Sequence, residues 1–344
     1  MSAADEPLDA KERLEQLRIA VADARRVLVL AHDNPDPDAL AAAFALCAVI
    51  SQIEEVEECI VGFAGLIGRA ENRAMLRELD LEPRRIDSAD FGQFDAVTLV
   101  DTQPGFGNNS FPADGAAAAV IDHHPRRSNL DNVTFVDVRE GYGATATILY
   151  EYAQASGVPL AENILTALFY AIKSETQELG REAGYADREA YLSLLPRADK
   201  AAVARIQRAR VPRTYFRAFQ VAIENARVHG RTVITDLQEV DSPDMVAEIA
   251  DFCLRLEGAD WAVCMGRYED SLVLSLRTTE EDGHAGEVIR RVAGSERAGG
   301  HGTMAGGKIP LEGRSYDDVA TQIRDRLIDA LGASGSPGEA LVIA

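Results

Sequence analysis

The chain of 344 residues is 47% hydrophobic and 26% charged, which is typical of a globular protein with room for two domains. Its formal net charge of −21 argues against binding long nucleic acid through a broad basic surface, although a small anionic substrate remains compatible with it. No apolar run reaches the length of a transmembrane helix, and the acidic N-terminus does not resemble a signal peptide, so we expect a cytoplasmic protein without membrane contact.

The first predicted elements are two helices on either side of a buried strand. Residues 9–26 have the periodicity of an amphipathic helix, the apolar run 27–31 predicts a strand, and the alanine-rich segment 39–50 predicts a second helix. The stretch His32-Asp33-Asn34-Pro35-Asp36-Pro37-Asp38 therefore lies where a strand leads into a helix. In α/β sheets this carboxyl edge is where ligands bind.

This stretch, residues 32–38, combines one imidazole with three carboxylates and two stiffening prolines. Divalent metals bind to rigid arrays of neutral imidazole and carboxylate oxygens. Asp36 and Asp38 are two residues apart, so in an extended loop they could serve two different ions. The same residues also fit an ordinary turn in which Asp38 caps the following helix, and the stretch alone leaves both interpretations open.

Ligand-type residues also follow two later strands. Five further elements are predicted up to residue 138, namely a strand at 57–63, a helix at 69–79, and strands at 94–100, 116–121 and 133–138. Asp101 follows one of these strands, and Asp122, His123 and His124 follow another. Because the carboxyl ends of parallel strands meet at one edge of a sheet, we expect these side chains to lie close to His32.

Two later segments complete the first predicted domain. Gly141–Thr147 opens a helix whose backbone N–H groups could bind a phosphate, but an ordinary helix cap explains the same residues and is favoured. The apolar helix 164–173 runs into Ser174-Glu175-Thr176. This places one more carboxylate at the end of a buried element.

The remaining chain predicts a helical connector and a second domain. We expect a first domain at 1–186, a connector at 187–226, a second domain at 227–332 and a flexible tail at 333–344. The second domain has seven features in order: a strand at 228–237, a helix at 245–256, strands at 261–266 and 272–277, a helix at 283–293, a glycine-rich run at 299–307 and a helix at 316–331. We expect the glycine-rich run to lie at a helix start, where it would present backbone N–H groups to an anion.

The first domain contains enough metal-ligating side chains for two ions. Eight candidates are His32, Asp36, Asp38, Asp101, Asp122, His123, His124 and Glu175. Six or seven such ligands suffice for a pair of ions about 3.5–4 Å apart, with Asp101 as the natural bridge. Because the set contains Asp and His but no Cys, it points to Mn²⁺, with Mg²⁺ as the alternative.

In their order along the chain, these residues resemble the DHH phosphoesterase family. Four motifs carry the resemblance: His32-x-Asn34-Pro35-Asp36-x-Asp38-Ala39, Val100-Asp101-Thr102, Asp122-His123-His124-Pro125 and Ser174-Glu175-Thr176. The run Gly299-Gly300-His301-x-x-Met304-Ala305-Gly306 resembles the fingerprint of the family's C-terminal DHH-associated domain. The resemblance covers nearly the whole chain. It implies a parallel-sheet DHH catalytic domain that a helical connector joins to a smaller α/β substrate-binding domain.

The resemblance also implies roles for individual residues. One Mn²⁺ would be held by His32, Asp36 and Asp101, and the second by Asp38, Asp101, His123 and Glu175. Asp122 would orient a neighbouring group, and His124 would contact the reacting phosphate or assist the leaving group. In the second domain, the expected substrate-binding residues are Arg277, Gly299, Gly300, His301 and Gly302. Glu175 stands where the family usually has Asp, which makes it the main departure from the pattern.

Three functions are compatible with this pattern. Length and layout resemble the nanoRNase and pAp-phosphatase branch, which implies hydrolysis of short oligonucleotides to mononucleotides and of the 3′-phosphate of pAp. The alternative is a phosphodiesterase for a cyclic dinucleotide such as cyclic di-AMP. A binding or regulatory protein with a weakened site is supported only by Glu175. The expected partner is a short oligonucleotide or nucleotide, and the helix at 9–26 offers a surface for a homodimer.

Overall fold

A sheet of six parallel strands forms the centre of residues 1–209, the first of the two units into which the chain divides. The computed structural model describes residues 9–126, 130–280, 282–295 and 297–342. The six strands are β1 (Arg26–Ala31), β2 (Glu58–Phe63), β3 (Arg84–Arg85), β4 (Ala96–Val100), β5 (Ala117–Asp122) and β6 (Val133–Val138). They lie in the order β3-β2-β1-β4-β5-β6. The order reverses between β1 and β4, which makes this the position where an α/β sheet opens a crevice.

Seven α-helices of the described chain belong to this first unit. They are α1 (Ala10–Val21), α2 (Pro37–Ile50), α3 (Ala70–Glu78), α4 (Thr145–Ser156), α5 (Glu162–Glu175), α6 (Tyr185–Leu194) and α7 (Lys200–Gln207). The alanine-rich α2 is buried on nearly all sides, since it packs against both α4 and α5. Burial on all sides explains why its sequence is uniformly apolar rather than amphipathic. The predicted helix at 9–26 ends earlier, at Val21, because Arg26 already belongs to β1.

The second unit, residues 210–344, is built on a mixed sheet of seven strands. Its strands are β7 (Arg227–His229), β8 (Thr232–Glu239), β9 (Trp261–Tyr268), β10 (Ser271–Thr278), β11 (Ala298–His301), β12 (Met304–Pro310) and β13 (Glu339–Ala340). Its helices are α8 (Arg213–Asn225), α9 (Asp244–Cys253), α10 (Ala285–Ala293) and α11 (Tyr316–Ala330). Among the described strands of this second sheet, only β8 and β9 pair in parallel. The predicted fold class, a parallel α/β domain with a smaller second α/β domain, is confirmed.

Two predictions for the second unit are wrong in detail. The strand predicted at 228–237 is a hairpin of β7 and β8, because Gly230 turns the chain at a φ of +62°. The glycine-rich run at 299–307 does not begin a helix but forms the hairpin of β11 and β12. There Gly300 has no room for a side chain, since a Cβ would lie 2.4 Å from the Met304 carbonyl oxygen. The glycines thus allow two strands to approach closely, a use that their composition alone does not reveal.

The predicted connector and tail lie inside the two units. The segment 187–226 contributes α6 and α7 to the first unit and α8 to the second. In the predicted tail, residues 339–340 form β13, which pairs with β7. No helix within the described ranges has both the length and the apolar character needed to cross a membrane.

A buried ion cluster at Asp137 fixes α1 and α4 to the sheet, and it gives a stability prediction. Asp137 is 1% exposed, pairs with Arg13 and Arg139, and accepts a hydrogen bond from the Tyr152 hydroxyl at 2.7 Å. Asp137→Asn would remove the buried charge that both arginines share, while Arg139 would keep its pair with Glu151, so we expect the free energy of unfolding to fall by about 3 kcal/mol. Urea unfolding checks this value.

The matched control is Asp260→Asn, which removes an exposed ion pair with Arg231. Exposed pairs contribute little, so this control should unfold like the wild type. Equal stability of the Asp137 variant and the wild type would contradict the prediction.

Candidate metal centre

The carboxyl ends of β1, β4 and β5 bring most of the predicted ligands together. Asp101 directly follows β4, which lies between β1, leading to His32, and β5, ending at Asp122. Asp101 has a left-handed backbone, with a φ of +59°. Such a backbone is uncommon for a residue other than glycine, and strained positions of this kind cluster at functional sites. The predicted meeting of ligand-type residues at one sheet edge is therefore present.

Asp101 lies between two histidines, with one carboxylate oxygen toward each. Its Oδ2 is 3.6 Å from the Nε2 of His32, and its Oδ1 is 3.5 Å from the Nε2 of His123. Among the described residues, two groups hold their ligand atoms within 4.8 Å of one another: His32 with Asp36 and Asp101, and Asp101 with His123 and His124. The first group is the ligand set implied for one ion.

Backbone carbonyls fix the orientation of both imidazoles. The Nδ1 of His32 lies 2.9 Å from the Asp33 carbonyl oxygen, and the Nδ1 of His123 lies 3.1 Å from the Tyr142 carbonyl oxygen. A carbonyl oxygen can only accept, so each Nδ1 carries a proton and each Nε2 is directed at the carboxylates. This is the arrangement in which metal-ligating histidines are usually held.

Burial and neighbouring charges shift the pKa values of the clustered carboxylates and imidazoles. Burial and the charge of Asp36 raise the pKa of Asp101 to about 7, although the charges of His124 and His32 oppose this rise. Burial lowers the pKa of His32, but the hydrogen bond and charge of Asp36 outweigh burial and raise it to about 10. Buried carboxylates whose pKa values are raised in this way favour cationic partners. The donor set fits divalent cations in both charge and atom type.

Asp38 caps a different helix from the one expected. The cap of α2 is Asp36, whose Oδ1 accepts the Ala39 N–H at 3.0 Å. Asp38 is 1% exposed and accepts the N–H groups of Thr145 and Ala146 at 2.7 and 2.8 Å. These two groups open α4, so a carboxylate already occupies the N–H groups that could have bound a phosphate there. The Oδ2 of Asp38 still lies 4.0 Å from the Nε2 of His123.

His124 is held by a carboxylate that is itself fully buried. The Nδ1 and backbone N–H of His124 donate to Asp122 at 2.9 and 3.1 Å. Burial lowers the pKa of His124, but the Asp122 hydrogen bond and the Asp101 charge outweigh burial and raise it to about 9. Gln103 donates to the other oxygen of Asp122 at 2.7 Å. Sequence analysis missed Gln103, whose only signal was its place two residues after Asp101.

Glu175 faces an arginine that sequence analysis also missed. Its Oε1 accepts from the Nη2 of Arg181 at 3.2 Å. Burial and the charges of Asp36 and Asp101 raise the pKa of Glu175 to about 7. The charges of Asp36 and Asp101 therefore act on Glu175. Glu175 nevertheless belongs to neither three-residue group formed by the described side chains.

Of the substrate residues predicted in the second unit, Arg277 is less accessible than expected. Arg277 is 9% exposed, pairs with Asp251, and donates to the Ser275 hydroxyl at 2.6 Å. Gly299, Gly300 and Gly302 lie in the β11–β12 hairpin. His301 is in β11, and its side chain lies outside the described part of the structure.

Comparison with known proteins identifies related sequences. Residues 26–172 match the DHH family, N-terminal domain. An uncharacterised protein of Methanocaldococcus jannaschii is 31% identical over 288 residues, covering 83% of this chain and 58% of that protein. The cyclic-di-AMP phosphodiesterase GdpP of Geobacillus thermodenitrificans is 26% identical over 333 residues, covering 91% and 49%. The chain thus spans about half the length of the curated relatives it matches.

A solved structure has a similar fold. An exopolyphosphatase-related protein from Bacteroides fragilis superposes with a TM-score of 0.73 over 94% of this chain and 97% of that chain. The two sequences are 12% identical, so this likeness concerns the fold alone.

Proposed function

Residues 26–172 match the DHH family, N-terminal domain, and from this we propose that the chain is a metal-dependent phosphoesterase acting on short nucleotide substrates. The observation that carries the proposal is the position of Asp101 between the Nε2 atoms of His32 and His123, at 3.6 and 3.5 Å. A carboxylate with one oxygen toward each of two imidazoles is the arrangement expected of a bridging ligand in a two-metal site.

The proposed ligands form two sets that share Asp101. One ion would be held by His32, Asp36 and Asp101, and the other by Asp101, His123, Asp38 and Glu175. Glu175 would exchange its partner Arg181 for the ion. We propose Mn²⁺ as the metal, with Mg²⁺ as the alternative, because carboxylate and imidazole donors without thiolates favour such ions. Two bound ions would activate a water and neutralise charge on the phosphate.

The chain's own proton donor would be His124. The hydrogen bond to Asp122 fixes its Nδ1 and the orientation of the ring. Nε2, on the opposite side of the ring, would donate a proton to the leaving oxygen. Asp122 and Gln103 would orient the ring without touching the substrate.

The proposed substrates are short oligonucleotides, hydrolysed to mononucleotides, with the 3′-phosphate of pAp as a second target. The net charge of −21 supports a short substrate, since such a ligand needs no extended basic surface. A second candidate substrate is cyclic di-AMP, which the similarity to GdpP across 91% of this chain favours.

Removal of metal should abolish activity. Dialysis against EDTA is expected to eliminate hydrolysis, and Mn²⁺ should restore it and raise the melting temperature, because ions that bind only the folded state stabilise it. Asp101→Asn should show little of this thermal shift. Full activity after complete metal removal would contradict the proposal.

The substrate is tested by incubating the Mn²⁺-loaded protein with a 5′-labelled RNA trinucleotide, pAp and cyclic di-AMP, with Asp101→Asn as the blank. Release of mononucleotides by the wild type alone would support the proposed function. Hydrolysis of cyclic di-AMP alone would favour the second candidate. Binding of Mn²⁺ without turnover of any substrate would contradict both and favour a binding protein weakened at Glu175.

A further inference from the structure

One segment of the first unit touches three of the proposed metal ligands. This segment, residues 142–147, leads into α4 and makes four hydrogen bonds to them. They join the Tyr142 carbonyl to His123 at 3.1 Å, the Thr145 and Ala146 amides to Asp38 at 2.7 and 2.8 Å, and the Thr145 hydroxyl to Asp101 at 2.8 Å. The position of the 142–147 segment therefore sets the orientation of ligands that come from three different strand ends.

Asp187, in the first turn of α6, binds the 142–147 segment through its carboxylate. Its carboxylate is fully buried and accepts the Gly143 amide at 2.8 Å and the Thr147 hydroxyl at 2.6 Å. It also accepts the Gly184 amide at 2.8 Å. One side chain thus joins the start of α6 to residues that lie 40 and 44 positions earlier in the sequence.

The loop that follows Glu175 ends at Gly184, whose amide donates to the same carboxylate at 2.8 Å. Three consecutive residues in it, Gln177, Glu178 and Leu179, have left-handed backbones with φ of +47°, +59° and +68°. Such a turn is unfavourable for residues other than glycine and persists only where several contacts determine it. Gly143 lies tightly against this loop, since a Cβ there would be 2.7 Å from the Glu182 carbonyl oxygen.

We propose that Asp187 is a positioning residue for the metal centre, which sets the 142–147 segment in the geometry that metal binding needs. The inference rests on the proposed function for the identity of the ligands. Asp187 touches neither metal nor substrate in this account. It acts through the amides and the hydroxyl that orient Asp38, Asp101 and His123.

Asp187 makes more hydrogen bonds than capping α6 requires. Capping α6 requires only the Gly184 amide, which lies three residues away. The bonds to Gly143 and Thr147 lie outside α6 and lead toward the ligands. A cap alone would change the stability of the protein and leave the Mn²⁺ affinity of the folded protein unchanged.

The test is the Mn²⁺ affinity of the full chain, measured by electron paramagnetic resonance titration at a temperature where each variant is folded. Asp187→Ala should weaken the binding of at least one ion by about 10–100-fold, the usual effect of removing a group that orients a ligand. Asp187→Asn should bind almost like the wild type, since its amide oxygen can still accept from Gly143 and Gly184. Asp199→Ala is the control, because the Asp199 side chain caps α7 and pairs with Arg205 rather than with the 142–147 segment. It should lower the melting temperature without changing Mn²⁺ affinity.

If Asp187→Ala does not fold, Thr147→Val tests the same link, because it removes one hydrogen bond and preserves the side-chain shape. A several-fold loss of affinity would support the inference. Wild-type affinity in the folded Asp187→Ala or Thr147→Val variant would overturn it. A wild type that binds Mn²⁺ but hydrolyses none of the substrates would overturn the proposed function alone, and a wild type that binds no Mn²⁺ would overturn both.

Discussion

Asp101→Asn is expected to lower kcat/KM by about 10³-fold or more, because two metal ions contribute several kcal/mol to transition-state stabilisation and Asp101 is the residue they would share. The fold should survive, since an asparagine oxygen can still accept the Thr145 hydroxyl, now 2.8 Å from the Asp101 carboxylate. The metal-free variant should be at least as stable as the wild type, because one of several mutually repelling buried carboxylates has been neutralised. Steady-state kinetics and thermal unfolding measure the two effects.

Asp95→Asn provides the matched control for this variant. Asp95 precedes the same strand, β4, at its opposite end, where it is exposed and accepts the amides of Arg25 and Arg26 at 3.0 and 2.8 Å. The kcat/KM of Asp95→Asn should equal that of the wild type. Near-normal hydrolysis by the Asp101 variant would exclude a shared metal ligand at this position.

His124→Ala is expected to lower kcat by about 10²–10⁴-fold, the usual contribution of a positioned proton donor. The loss should be much smaller for a p-nitrophenyl phosphodiester, whose leaving group needs no proton. Mn²⁺ affinity should change little, because the Nδ1 of His124 is bonded to Asp122 at 2.9 Å. The measurement compares the loss of kcat for a nucleotide substrate with the loss of kcat for the p-nitrophenyl phosphodiester.

Asp122 is expected to act through His124, which a double-mutant cycle can test. Asp122→Asn alone should lower kcat, and it should have little further effect in the His124→Ala background, because residues that act as one unit are not additive. A large loss of Mn²⁺ affinity in His124→Ala would instead identify His124 as a ligand. This outcome would favour the group in which His124 lies with Asp101 and His123.

The ligand positions at the sheet edge could be predicted from the sequence because each follows an apolar strand. A buried strand such as β1 or β4 is short and uniformly apolar, so the polar residue after it is easily recognised. Parallel strands then bring His32, Asp101 and His123 together by topology alone. The meeting of these ligand-type residues at one edge was therefore accessible from local patterns.

The supporting contacts could not be predicted, because each joins residues far apart in the sequence. The bonds of Asp38 to the start of α4 span 107 and 108 residues, and those of Asp187 to Thr147 and Gly143 span 40 and 44. A buried aspartate on a helix has the same local sequence as an exposed one. The pairing of Arg277 with Asp251 could not be predicted from the sequence for the same reason.

The glycine-rich run at 299–307 shows a second limit of prediction from the sequence. Glycine permits a helix start, a tight turn and a close strand pair alike, so composition does not choose between them. The hairpin of β11 and β12 is selected by the neighbouring β10, which pairs with β12 along seven residues. Only the assembled sheet contains that information.

The most direct test of the account is the number of Mn²⁺ ions bound by the wild-type chain and by Asp101→Asn, counted by electron paramagnetic resonance titration. We expect two ions per wild-type chain, with the magnetic coupling that a shared carboxylate produces, and loss of that coupling in Asp101→Asn. A wild-type chain that binds fewer than two ions, or two uncoupled ions that Asp101→Asn leaves unchanged, would contradict the two-metal centre.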